Sequence, residues 1–295
     1  MAVRLTEGEV CYAHVVPVKG ARPRIEDAAC VDEATFLHRA AVWQRQRISL
    51  LLERGEYQLL TADIPPGVAE AEMRNAMRWR IKDLLDYPAD QATLDILHIP
   101  MEGGRSASHL FVAVARNDTL LNRQLYFRSA KLPLKAIDLP DMAQRNISAL
   151  LEEPGRGTAV LVFGPDSSLL TVTYKGELYL SRRLDVGINQ LEVADQEKRD
   201  AYYERVALEL QRSQDGFERQ FNFISMSRLW LGAVKHAEEL KRYLASQLYV
   251  AVESLDLAGL FQCRDEKMTH ALQDEETFLR LFAVIGAALR EDEAA

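Results

Sequence analysis

The chain has 295 residues, a formal net charge of −8, 27% charged and 48% hydrophobic residues. That is enough for one large or two medium domains with a real core, in the composition range of ordinary soluble proteins. The acidic balance argues against nucleic acid and other free polyanions as bulk partners and leaves room for a local basic patch, and Cys11, Cys30 and Cys263, far apart and without CxxC spacing, argue against a disulfide framework or a zinc site and for a reducing compartment.

The opening "MAVRLTEGEVCYAHV" holds no run long enough for a signal peptide. No segment approaches the roughly 18 apolar residues of a membrane span. The most apolar helical stretch, "TFLRLFAVIGAALR", is short and carries Arg280 and Arg290. The expectation is a cytoplasmic protein held at any membrane by a partner.

In chain order, "VRLTEGEVCYAHVVPV" reads as two strands around Glu7-Gly8, and a turn at Lys19-Gly20 leads to a third. "DEATFLHRAAVWQRQ" is a helix, and "ISLLLERGEYQLLTADIPP" is two strands around Arg54-Gly55. An amphipathic helix spans Val68 to Tyr87 and stops at Pro88. A strand "ATLDILHI", a turn at Gly103-Gly104 and a strand "SHLFVAVA" follow. Then come a helix capped by Asp118, a strand "LKAIDL" and a helix capped by Asp141. "EEPGRGT", Glu152 to Thr158, is the best domain boundary. Beyond it three strands span Thr158 to Leu184 with a turn at Lys175-Gly176, and a long helix runs from about Asp200 to Ser225. A strand "SRLWLGAV", a helix "KHAEELKRYLASQL", a strand "YVAVESLDL" and a helix from Thr277 to Arg290 complete the chain.

The order after Glu152 repeats the order before it. Each half reads βββα…βαβα, with a three-strand meander turned at Lys-Gly and a later strand–helix–strand unit. The fold class expected is α/β with mixed sheets, built from two related halves.

Catalytic signatures are missing. There is no GxxxxGK[ST], GxSxG or HExxH, and "GRG" at Gly155 lacks the third glycine and the helix of a dinucleotide fingerprint. His98 and His109 read as ordinary strand or loop histidines, and Cys11 as a small core hydrophobe.

Two helices carry more information. In "VAEAEMRNAMRWRIKDLLDYP", Met73, Met77, Ile81, Leu84 and Leu85 share a face at 100° per residue. Trp79 lies nearly opposite, among Glu72, Asn75, Asp83 and Asp86. It reads either as buried against another part of the domain or as part of a docking surface. In the later helix, Tyr203, Val206, Ala207, Leu210, Phe217, Phe221 and Ile224 form a core stripe, and Gly216 within it suggests a close backbone approach. "VLVFGPDSSLL", from Val160, reads locally as a hairpin with Gly164-Pro165-Asp166-Ser167-Ser168 at its turn.

"EYQLLTADIPPGVAEAEMRNAMRWRIKDLLDYPADQATLDILHIP", Glu56 to Pro100, resembles the MshI proteins of mannose-sensitive haemagglutinin (MSHA) pilus biogenesis, relatives of PilM and of the cytoplasmic domain of GspL. Met77 to Asp83 is its most specific part. "LELQRSQDGFERQF" and "AVIGAALR" resemble the long and closing helices of the second half of PilM.

The resemblance implies an actin-like, ribonuclease H-like duplicated fold with nucleotide between two lobes. The first lobe would span residues 1–153, with an inserted subdomain at about 48–108, and the second 154–295. It also implies a cytoplasmic scaffold of a type IV pilus platform, peripheral to the inner membrane. Such a scaffold grips the cytoplasmic tail of a PilN-like single-span protein and contacts the pilus motor or platform. The Trp79 face, with Arg80, Asp83 and Asp86, is the candidate for that contact.

The sequence departs from the family where nucleotide would bind. Actin-like ATPases place Asp-x-Gly at the first turn of each meander. Here Phe163 stands in the aspartate position, Pro165 removes an N–H donor, and "MAVRLTEGEV" has no Asp-x-Gly. Ser167, Ser168, Gly187 and Gly232 are what remains of a nucleotide cleft. The expectation is a protein that is not an enzyme and carries no cofactor, because phosphoryl transfer depends on positioned charge. The alternative is a functional ATP- and Mg-binding protein of the same machinery. A small-molecule kinase of the same superfold is a weaker third, with no catalytic base identifiable.

Overall fold

The structure, a computed structural model, describes residues 1–101 and 108–290. The expected turn at Gly103-Gly104 lies outside the described residues. The elements in chain order are β1 (Ala2–Thr6), β2 (Glu9–Val16), β3 (Arg24–Val31), α1 (Glu33–Trp43), β4 (Ile48–Leu51), β5 (Tyr57–Asp63), α2 (Glu70–Ile81), β6 (Ala92–His98), β7 (His109–Arg116), α3 (Asn117–Ser129), β8 (Leu134–Asp138) and α4 (Pro140–Ala149). There follow β9 (Gly157–Phe163), β10 (Ser168–Tyr174), β11 (Glu177–Leu184), α5 (Ile188–Leu191), α6 (Gln196–Gln220), β12 (Met226–Leu231), α7 (Ala237–Gln247), β13 (Ala251–Ser254), α8 (Leu257–Leu260), β14 (Gln262–Cys263), α9 (Glu266–Gln273) and α10 (Glu275–Ala288).

Three sheets result among the described residues. Their strand orders are β14-β3-β2-β1-β4-β8, β11-β10-β9-β12-β13 and β5-β7-β6. The run β3-β2-β1-β4-β8 in the first has the same connectivity as β11-β10-β9-β12-β13 in the second. The chain divides into two compact units, Met1–Val3 with Cys11–Cys30 and Asp141–Ala295, and Arg4–Val10 with Val31–Pro140.

In the first unit, β9, β10 and β11 form an antiparallel meander, and β12 and β13 add in parallel. Every residue of β10 is buried, so "SLLTVTY" reads as a continuous run rather than an alternation. The core stripe of α6 buries Tyr203, Val206, Ala207, Leu210 and Phe217, with Phe221 and Ile224 beyond its end. Gly216 departs from expectation: a Cβ there would meet nothing within 4 Å, so no close approach explains it. The close approach is at Gly286 of α10, where a Cβ would stand 2.2 Å from the Ala143 carbonyl oxygen of α4. Asn146 Nδ2 donates to the Gly286 carbonyl at 2.9 Å, and Gln144 Nε2 donates to the Val160 and Leu169 carbonyls, which ties α4 to the sheet.

The cysteine expectation is corrected here. Cys11 and Cys30 lie on neighbouring strands β2 and β3 and form a disulfide, 19 residues apart in sequence. Spacing alone does not reveal a cross-strand pairing. Cys263 is free.

In the second unit, the β5-β7-β6 sheet is antiparallel with β7 in the middle. It packs Leu94, Leu110, Val112 and Val114 against Met73, Met77 and Ile81 of α2. The helix is shorter than its sequence pattern. It ends at Ile81, a 3₁₀ turn covers Lys82–Leu84, and Leu85 is extended. That turn rotates Leu84 off the buried face, leaving it 59% exposed. The two aspartates expected as caps also sit elsewhere. Arg116 precedes α3, while Asp118 lies in the first turn and accepts from the Thr119 N–H at 2.7 Å. Pro140 opens α4, a first-turn position where its missing N–H costs nothing. Asp141 is buried, accepts from the Ser181 hydroxyl, and faces Arg183 at 3.6 Å.

Candidate functional site

The loop after β9 holds three of the four expected cleft residues together. Phe163 ends the strand almost wholly buried and pairs with Ser168. The Gly164 N–H donates to the Ser167 carbonyl at 2.8 Å and closes the turn. The start of α5 then docks on it. The Ile188 N–H donates to the Gly164 carbonyl and the Asn189 N–H to the Pro165 carbonyl, both at 2.9 Å. The Asn189 side-chain amide donates to Asp166 Oδ1 at 2.8 Å, and the Gly187 N–H donates to Gln190 Oε1 at 2.9 Å.

Gly187 shows how tight the closure is. Its φ of −124° is ordinary extended backbone, so left-handed geometry does not require glycine. A Cβ would stand 2.4 Å from the Ser167 nitrogen and 2.5 Å from the Pro165 carbonyl oxygen. Glycine is required because the two backbones touch. Ser167 is 5% and Ser168 1% exposed, and the Ser168 hydroxyl oxygen is enclosed without a hydrogen-bond partner.

Gly232 lies at the same end of this sheet. It follows β12, which runs parallel to β9, and its N–H donates to the Leu161 carbonyl at 2.8 Å. A Cβ on it would meet Phe278 and Val162 at 3.2 Å, so its space is taken by packing. The carboxyl ends of parallel strands are where α/β proteins place ligands. Here that end is filled by the loop, α5 and α10. The locking residues Asn189 and Gln190 carry no signal in the sequence, since their partners lie some two dozen positions away, across β10 and β11, or within their own short helix.

The second candidate surface is on the other unit. Trp79 is 73% exposed, which decides between the two readings of it: it is not buried within its unit. Lys82 Nζ stands 5.6 Å from its ring centroid. Arg80 pairs with Asp63 at 3.1 Å, and Asp63 also faces His109 Nε2 at 2.9 Å. Asp83 and Asp86 are exposed on the segment after the helix, next to the exposed Leu84. Burial raises the Tyr87 phenol above its ordinary range, and the Asp86 charge adds to the effect. Arg78 anchors the segment from behind, donating to the Ala92 carbonyl at 2.7 Å. Sequence periodicity missed Lys82 and Leu84, because it continued the helix through both.

No protein-family model matches the chain, and no curated protein matches its sequence. Solved structures do match. The chain is similar to one from the PilM-PilN type IV pilus biogenesis complex, with a TM-score of 0.67 and 19% identity over 97% of this chain and 96% of that one. The fold is actin-like. Looser matches are the cytoplasmic domain of EpsL, an inner membrane component of the type II secretion system of Vibrio cholerae (TM-score 0.45, 15% identity, 62% of this chain and 70% of that one), and a Bacteroides thetaiotaomicron protein with actin-like ATPase fold and unknown function (TM-score 0.47, 9% identity, 93% and 95%).

Proposed function

We propose that the protein is a non-catalytic cytoplasmic scaffold of a type IV pilus assembly platform, of the MSHA type and MshI-like. It would dock the cytoplasmic tail of a PilN-like inner-membrane protein. The observation that supports the non-catalytic reading is the contact of Gly187 with the Pro165–Ser167 backbone, which leaves no room there even for a Cβ. Two α5 amides are hydrogen-bonded to the loop's own carbonyls, and the aspartate position is a buried phenylalanine. Partner docking is supported by the likeness to a chain of the PilM-PilN complex and by Trp79, an exposed aromatic of the kind that anchors interfaces.

Within this reading residues 1–153 and 154–295 are the two lobes and the β5-β7-β6 sheet with α2 is the insertion; its expected start at about residue 48 is corrected, because Ile48–Leu51 pairs with β8 in the first sheet. No helix among the described residues is long and apolar enough to cross a membrane, and we assign membrane recruitment to the partner's tail.

The alternative, an actin-like ATP-binding protein, would rest on Ser167 and Ser168, and their burial counts against it. Calorimetry with ATP and Mg²⁺ separates the two. The expected result is no binding in the micromolar range; micromolar binding with hydrolysis would overturn the scaffold reading. For the docking surface, Trp79→Ala should weaken binding of a PilN-like N-terminal peptide by about tenfold or more, the effect of losing an aromatic anchor. Unchanged affinity removes this face from the interface.

A further inference from the structure

An open groove of about 410 Å³ lies beside β8. It is lined by Gln124, Phe127 and Arg128 of α3, by Leu132, and by Leu134 to Ile137 of β8. Four consecutive strand residues line it, so it runs along the edge of the strand rather than over one face. β8 is the last strand of its sheet, paired in parallel with β4 on its other side. The Leu52 N–H takes the Asp138 carbonyl on the β4 side. Counted back from Asp138, the peptide group of Ile137 then points outward, into the groove; at Lys135 the ladder slips by one residue, Ile48 pairing with Leu134 and Ser49 with Ala136.

The charge around this edge is one-sided. From Thr119 to Ile137 the chain carries Arg123, Arg128, Lys131 and Lys135 and no acidic residue, in a protein of net charge −8. Arg123 is paired with Glu56. Arg128, Lys131 and Lys135 are exposed and make no ion pair among the described residues. Between them lies apolar surface. Leu121 and Leu125, 54% and 49% exposed, share the α3 stripe of Gln124 and Arg128, and Phe127 and Leu132 lie beneath.

We propose that this groove takes an extended, acidic segment of a partner protein as an added strand beside β8. Main-chain groups of the segment would pair with the outward peptide group of Ile137, the mode of β-strand addition. Every second side chain would turn onto the Leu121 and Leu125 surface, and the alternate carboxylates would meet Arg128, Lys131 and Lys135. One lysine on an edge strand blunts pairing in general. Three unpaired cations beside an apolar slot select for acidic strands.

The test uses the full-length protein and a capped, fluorescein-labelled peptide of alternating valine and glutamate, read by fluorescence anisotropy. Saturable binding is expected, with Lys replacing Glu in the peptide abolishing it. The double variant Arg128→Glu with Lys135→Glu, both exposed, should lose binding of the acidic peptide about tenfold or more and gain the basic one. Ile137→Pro removes the outward N–H and should weaken the acidic peptide. Hydrogen exchange should show the Ile137 amide protected only in the complex. No saturable binding, or binding unaffected by the charge reversal, overturns the proposal. Binding unaffected by Ile137→Pro and without amide protection also overturns it, since that is charge attraction alone. Capture of phosphatidylserine vesicles in place of the peptide would reassign the patch to a lipid surface and overturn it too.

Discussion

Gly187 and Gly216 look alike in the sequence and differ in what surrounds them. A methyl group on Gly187 would run into the Ser167 nitrogen and the Pro165 carbonyl oxygen, both of them backbone atoms that cannot swing aside. Gly187→Ala should therefore destabilise the protein by about 1–3 kcal/mol, the usual scale of overpacking. Gly216 sits inside α6 with open space around it. Gly216→Ala should stabilise by about 1 kcal/mol, from helix propensity and lost chain entropy. Urea denaturation of both variants checks the pair, and a lower midpoint for Gly216→Ala would contradict the geometry. At this scale the sequence was half legible. Phe163 and Pro165 can be read directly as departures from the Asp-x-Gly that the resembled family would place there. The contact that fills it does not show, because Gly187 has an ordinary φ and reaches Ser167 across two intervening strands.

Among elements, the aspartate caps carry a pH dependence. Asp274 accepts from the Thr277 N–H at 2.9 Å at the start of α10, and Asp265 from the Met268 N–H at 2.9 Å at the start of α9. The backbone hydrogen bond at each holds the carboxyl below its ordinary range. A folded-state pKa below the unfolded one means stability that is complete above the ordinary carboxylate range and is lost as pH falls through the lowered value. Asp274→Asn keeps a capping oxygen without the titration. Its urea midpoint should fall less than that of the parent between pH 7 and pH 3; an equal or larger fall would show that the cap does not contribute. Long elements were read well from periodicity, as α6 and the β9–β11 meander show. The short ones, α5, α8, α9 and β14, carry no readable signal, because helices of four to eight residues do not complete a stripe and a two-residue strand shows no alternation. The end of α2 was misplaced for a related reason: "IKDLLDY" continues an apolar pattern through residues that the backbone turns away at Ile81.

At the scale of the whole molecule, the recurrence of strands and helices announced paired sheets, and the common strand order is its physical form. The pairing of Cys11 with Cys30 was not announced, since it depends on how two neighbouring strands align. It makes a countable prediction. Protein purified without reductant, unfolded and alkylated, should take up one label, at Cys263, and take up three after reduction. Three labels without reduction would mean that the pair stands as thiols in the isolated protein.

The closed loop also constrains what this protein can become. Restoring an aspartate at residue 163 would place a carboxylate in a site that is 1% exposed and leave Gly187 still seated on Pro165 and Ser167. A useful phosphate pocket would require moving α5, freeing its amides and remaking the turn, and the first of these changes taken alone only weakens the protein. Under the proposed scaffold reading, any route to nucleotide chemistry would thus run through weakened intermediates, and the loop would act as a ratchet against single substitutions.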